Sequence, residues 1–331
     1  MTAASLPPPP PPLLVAEEAR IAVDGVVAID RLTLSTTGDH VLLAGDPAAL
    51  FAALTGVPLS SRRGARPALS GKAARAARAS LDDSDEELPG EAYVVAGSLR
   101  LAGHSVAESA HIALMGAAPL DPPLPPGWTA EEYVAWGARL AGAPRRAAGD
   151  LAIQALARVG MLPARKRLTS ALPPAERRAL ILAQAIVMAP AVLIAESPLA
   201  GLEGSAATFV LDALVQATEG RRAIFSVTHI DPGSPEGRLS RAASYMIVLA
   251  GGEIALEGSP GELFSGVRVY ALTVRKNAEP LRAELALRGI PLRGGPHRFS
   301  VELPASGTTR DIVAAAQAAR AALVEMVPLI G

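Results

Sequence analysis

The 331-residue sequence has no cysteine, only 3% aromatic residues and a formal net charge of −1. Without cysteine there is no disulfide, no thiolate nucleophile and no cysteine-ligated metal, which suits a cytoplasmic protein. The balanced charge creates no field toward nucleic acid or acidic lipid. With so few aromatics to stack on bases, nucleic acid is not an expected partner. The opening MTAASLPPPPPPLL lacks the basic segment and long apolar core of an export signal. The longest apolar run, ALILAQAIVMAPAVLIA at 179–195, is split by Pro190, preceded by Arg177 and Arg178 and ended by Glu196. It reads as a buried helix followed by a buried strand, not as a membrane span. His40, His104, His111 and His297 have no metal-ligating spacing, and no Ser-His-Asp set or carboxylate pair stands out, so no metal site is expected.

Half of the residues are hydrophobic, and their pattern predicts an α/β protein. Pro7–Pro12 form a stiff polyproline spacer within an N-terminal arm, 1–17, expected to be disordered. Residues 20–36 alternate as antiparallel strands, and VLLA at 41–44 is a buried strand with a helix after it at 48–55. A basic run followed by DDSDEE marks 57–91 as a mobile charged insertion. Residues 97–103 return to strand. After the proline-rich loop 119–127, Thr129 and Glu132 form a capping signal for a helix, with further helices at 147–160 and 175–189. VLIA at 192–195 and AIFSV at 223–227, joined by a helix near 205–219, make a βαβ unit. YMIVLAGGEIALEG is a hairpin turning at Gly251-Gly252. From about 267 the pattern becomes strand, helix, two strands, helix, a small α+β unit.

These pieces, in this order, resemble the nucleotide-binding subunit of an ABC transporter over roughly residues 18–264. ERRALILAQAIVMAPAVLIAESPLAGLEG at 176–204 resembles the family's signature helix, Walker B strand and D-loop. FSVTH ending at His229 resembles the switch-histidine strand, and LAGGEIALEGSPGELF the strand pair and helix that close the domain. The resemblance implies an ABC-ATPase-like α/β domain at 18–264, with an antiparallel β subdomain and a helical subdomain at about 119–170. Residues 265–331, a small C-terminal α+β domain, resemble the extension of ABC-2 type exporter ATPases.

The departures fall on the chemistry. The family places G-x-x-G-x-G-K-[ST] between strand and helix, where loop amides and Lys hold phosphates and Ser/Thr holds Mg²⁺. Here Gly45-Asp46-Pro47 runs straight into Ala48, about four residues short of that loop, with no lysine and an added carboxylate. By the same resemblance Ala117 stands at the Q-loop glutamine, Ala195 at the Walker B aspartate and Glu203 at the D-loop aspartate. The signature reads Leu172-Pro173-Pro174-Ala175-Glu176, and proline has no N–H to offer a phosphate. Glu196 at the general-base position and His229 at the switch position are retained. Each also has a plain reading, Glu196 as a cap or ion-pair partner and His229 as a core or rim histidine. The expectation is a catalytically degenerate, scaffold-like subunit with no cofactor, sitting on the inner face of the membrane. Its expected partners are an ABC membrane subunit, a second ATPase subunit or a second copy of itself. Trp128 and Tyr133, with Trp136, are candidate partner anchors, since large aromatics favour interfaces. The competing expectations are an ATP- and Mg-dependent exporter ATPase, or an interaction module outside transport.

Overall fold

The structure, a computed structural model, describes residues 10–57, 91–106, 108, 114–227, 230, 233–264, 268–295, 297–304 and 306–330. Residues 1–9 of the proline-rich arm, 58–90 of the charged insertion, His111 and His229 lie outside them.

An antiparallel sheet is built from β1 (Leu14–Val23), β2 (Val26–Ser35), β4 (Ala92–Leu101) and β5 (His104–Ser105), in the order β2-β1-β4-β5. Asp24 and Gly25 turn the first hairpin at φ 51° and 78°, as a tight two-residue hairpin turn requires. The expected disordered arm, 1–17, is too long. Leu13 and Leu14 are fully buried, and the Leu14 N–H donates to Thr36 Oγ1 at 2.9 Å. The apolar residues directly after Pro12 pair with strands on both sides, which overrides the proline run before them.

The central sheet has six strands: β3 (His40–Gly45), β6 (Met115–Ala118), β7 (Val192–Glu196), β8 (Arg222–Ser226), β9 (Tyr245–Ala250) and β10 (Glu253–Gly258). Their order is β10-β9-β3-β8-β7-β6, parallel except for β10. Both faces are covered. Along β7, Val192 and Ile194 enter the core shared with the antiparallel sheet and α1 (Ala48–Thr55), while Leu193 and Ala195 enter the helical core. That helical layer comprises α2 (Ala130–Leu140), α3 (Arg145–Arg158), α4 (Pro174–Ile186), α5 (Gly204–Thr218) and α6 (Pro235–Ala242). The long apolar run divides as the sequence suggests. Helix α4 ends at Ile186, Ala189 turns at φ 50° before Pro190, and β7 follows. Leu180 and Leu182 of α4 are almost wholly buried, each contributing about 1.5–3 kcal/mol of hydrophobic burial. Among the described residues no helix is long and apolar enough to cross a membrane.

After α7 (Pro260–Phe264), a second antiparallel sheet holds β11 (Arg268–Val274), β12 (Leu292–Gly294), β13 (Arg298–Leu303) and β14 (Leu323–Ile330), in the order β12-β13-β11-β14, with α8 (Ala278–Ala286) and α9 (Thr309–Ala318). Strand β14 is absent from the pattern read in the sequence. Pro328 argues against a strand locally, but β14 lies at the sheet edge, where a missing N–H is tolerated. Strand β11 is buried on both faces. Val269 and Ala271 join the helical core of the central sheet, while Leu272 and Val274 join a separate core with Leu281, Phe299 and Ile312.

Candidate functional site

The parallel strands β3, β6, β7, β8 and β9 end on one edge of the central sheet, at Gly45, Ala118, Glu196, Ser226 and Ala250. Ligands of open α/β sheets sit at this edge. At its centre, the β3–α1 junction is only Asp46 and Pro47. Gly45 has φ +83°, and a side chain there would run into the Leu249 carbonyl oxygen of β9. The Asp46 N–H donates to that carbonyl at 2.9 Å, and Pro47, at the helix cap, has no N–H and makes no side-chain cap. The two linking residues therefore leave no free amide for an anion nest. Asp46 instead presents a carboxylate, paired at 2.8 Å with Arg298 of β13 and accepting the Gly251 N–H. Burial raises the Asp46 pKa and outweighs the lowering by Arg298 and by the Gly251 hydrogen bond; Glu325 raises it further. The junction thus presents an acid bound to a guanidinium, where a polyphosphate with magnesium would need amides, a lysine and a hydroxyl. The residues present do not fit that group.

On the β6–β7 side, Ala195 is fully buried and offers the site no side-chain oxygen, and Ala117 lies across from Ile194 in the ladder. Glu196 Oε2 accepts the Leu120 N–H at 2.9 Å, tying the loop after β6 to the end of β7. Beyond it, Ser197 (φ 41°) donates its N–H to the Ser226 carbonyl at 2.8 Å. The same loop is pinned to α4, because Asp121 bridges Arg178 at 2.8 and 3.1 Å, and the Arg178 side chain is only 8% exposed. Leu120, Asp121 and Arg178 carry this strap, and none stood out in the sequence because their link is purely tertiary.

The signature segment enters α4 with Pro173 at the N-cap (ψ 162°) and Pro174 at the first helical position. Arg167 Nη1 donates to both Glu176 carboxylate oxygens, at 2.7 and 3.0 Å. Leu172 and Ala175 are buried core contacts. Glu203 precedes α5 in extended conformation and makes no side-chain cap. Between α4 and α5 lies an open groove of about 470 Å³, lined by Pro173, Pro174, Glu176, Gly201, Glu203 and Phe209 among others. Its charged groups are carboxylates.

On α2, the expected capping box is present: Thr129 Oγ1 accepts the Glu132 N–H at 3.2 Å, and Glu132 accepts the Thr129 N–H at 2.8 Å. The side chains expected as partner anchors, Trp128 and Tyr133, are both partly buried. Tyr133 packs on the helical core, where burial raises its pKa. Trp128 is half-buried against Trp136 in an edge-to-face pair with centroids 5.7 Å apart. The exposed aromatic is Trp136, at 41%, beside Arg139 and Leu140, the latter 72% exposed. Helical spacing decides this, because 132, 136 and 139–140 share the outer face of α2 while 130, 134 and 138 face the core.

No family model matches the chain. Phospholipid-transporting ATPase ABCA7 of Homo sapiens is 30% identical over 230 residues, 66% of this chain and 10% of that protein. Fe(3+) ions import ATP-binding protein FbpC 1 of Rhizobium meliloti is 30% identical over 141 residues, 42% of this chain and 38% of that protein. The chain therefore spans well under half the length of these relatives. Among solved structures, cbiO1 of Clostridium perfringens, described as part of the ABC transporter complex cbiONQ, superposes with a TM-score of 0.56 at 18% identity, over 84% of this chain and 96% of that one. That likeness establishes the fold, an ABC ATPase fold.

Proposed function

We propose that this chain, a divergent relative of ABC transporter ATP-binding subunits, is a non-hydrolysing scaffold subunit of an ABC-type membrane assembly. The observation that carries the reading is the β3–α1 junction, where the anion-binding loop is replaced by Asp46 engaged by Arg298 and the Gly251 N–H. Three further features support it. Ala195 offers no side-chain oxygen, Pro173 and Pro174 remove amides at the start of α4, and Glu196 holds the Leu120 N–H. The proposed place is peripheral on the inner face of the membrane, with α2 and the loop before it turned toward a membrane subunit through Trp136 and Leu140.

The loop amides and lysine of a working site are charge-assisted contacts worth about 1.5–3 kcal/mol each. Losing several takes a micromolar site past millimolar. Titration calorimetry with MgATP is expected to give no saturable isotherm in the micromolar range. A saturable micromolar isotherm would refute the reading and favour an ATP-hydrolysing exporter subunit with Glu196 as general base. Affinity isolation from native membranes separates scaffold from stand-alone module. Recovery of a polytopic membrane protein supports the first, and a soluble partner set without one supports the second.

A further inference from the structure

The contact at the β3–α1 junction joins two parts of the chain that the sequence reads as separate domains. Asp46 belongs to the central sheet, and Arg298 opens β13 of the C-terminal sheet. Their side chains lie 2.8 Å apart, at 28% and 46% exposure. The backbones also meet. Gly251, in the β9–β10 turn at φ +61°, has no room for a side chain, because a Cβ would overlap the Arg298 carbonyl oxygen and lie 3.2 Å from the Gly295 nitrogen. Gly294 brings the C-terminal sheet against the same turn, its own Cβ position being 3.2 Å from the Ala250 carbonyl and 3.4 Å from Gly251 Cα. Val269 and Ala271 of β11 then extend the central core into the C-terminal sheet.

We propose that the β3–α1 junction is a guanidinium site occupied from within the chain, in which Asp46 and the Gly251 turn seat Arg298 and so latch the C-terminal unit over the sheet edge. The junction has exchanged polarity. In place of amides facing an anion, a carboxylate faces a cation, and the cation arrives with a whole domain behind it. The charges around it fit this assignment. Glu325 of β14, whose carboxylate accepts from Thr273 Oγ1 at 3.1 Å, adds a second negative charge that acts on Asp46. Apolar burial of β11 supplies most of the adhesion, which is non-directional. The ion pair and the glycine contacts supply registration, since a guanidinium recognises a carboxylate in a defined geometry.

This inference rests on the reading that the junction takes no polyphosphate. Its test contains no nucleotide, so either can fail alone. Hydrogen exchange of the full chain is followed at the amides of Gly251, Gly294 and Gly295 in Asp46→Asn, in Arg298→Ala and in the charge swap that combines Asp46→Arg with Arg298→Asp. Each single variant is expected to speed exchange at these amides about fivefold or more while the amides of β7 and β8 stay protected. The swap is expected to return the Gly294 and Gly295 amides to within about twofold of the parent, the sign of a direct pair, while the Gly251 N–H, which loses its acceptor at position 46, stays fast. Gly251→Ala supplies a second perturbation through the backbone contact and is expected to loosen the Gly294 and Gly295 amides as well. Unchanged exchange in both single variants overturns the latch. So does loosening of the Gly294 and Gly295 amides that the swap leaves uncorrected, because the pair would then not be what seats Arg298.

Discussion

Gly45→Ala distinguishes a glycine that shapes a strand exit from one that cradles phosphate. At φ +83° an alanine enters the left-handed region, which costs about 1–2 kcal/mol. Its Cβ would also overlap the Leu249 carbonyl oxygen. That oxygen accepts the Asp46 N–H at 2.9 Å, and β3 pairs with β9 in parallel from Val41 to Gly45. Relief requires the two strands to part locally, at the cost of a hydrogen bond worth about 0.5–1.5 kcal/mol and some ladder contact. Together the loss is about 2–4 kcal/mol, or roughly 4–10 °C in Tm if the central sheet melts cooperatively. Thermal unfolding by circular dichroism measures it, and calorimetry with MgATP accompanies it. The expected result is a lower Tm and, on the function proposed above, no nucleotide response in either parent or variant. A Tm within about 1 °C of the parent, coupled to loss of measurable nucleotide binding, would refute the reasoning, since Gly45 would then serve a ligand and not the sheet.

Glu196→Gln keeps an oxygen for the Leu120 N–H, so stability is expected to shift by less than about 1 kcal/mol, and light scattering is expected to show no ATP-dependent dimer. Glu196→Ala orphans that N–H and is expected to cost about 1–3 kcal/mol by denaturant titration. Trp136→Ala, which loses the edge-to-face pair with Trp128 and the Arg139 contact, is expected to cost about 0.5–1.5 kcal/mol of stability and to weaken membrane-subunit binding by about 2 kcal/mol. Trp128→Ala loses the same pair and the more deeply buried ring, so it is expected to lower stability further and binding less, and the opposite ranking in paired melting and binding assays would count against Trp136 as the anchor. At α9, the Thr308 N–H and hydroxyl hold the Asp311 carboxyl below its ordinary value. A carboxyl lowered by folding adds stability above its unfolded pKa and loses it as pH falls through the folded one. Asp311→Asn is therefore expected to flatten the acid limb of C-terminal unfolding, and an unchanged pH profile would show that the cap does not contribute.

Much of this fold is written locally. Strands buried on both faces read as unbroken apolar runs, which is why β7 and β8 are legible. Thr129 and Glu132 announce α2, and Gly251-Gly252 announces the β9–β10 hairpin, because cap and turn chemistry is local. The two-residue link between β3 and α1, Asp46-Pro47, is equally plain, and it holds neither a lysine nor a glycine cluster. Four things needed the tertiary structure. Leu13 and Leu14 belong to the core only because two neighbouring strands receive β1. Pro328 hides β14 from any local reading, and only its place at a sheet edge makes it tolerable. Which tryptophan faces outward depends on where the core lies against α2. Arg298 has no signal in its own neighbourhood. Its partner lies in a distant strand–helix link, and the two meet because burial of Val269 and Ala271 draws the C-terminal sheet onto the central core. Local sequence specifies caps, turns and periodicity, because those forces act within a few residues. Which charges meet across a domain boundary is set by apolar burial, which acts between surfaces and is indifferent to the distance along the chain.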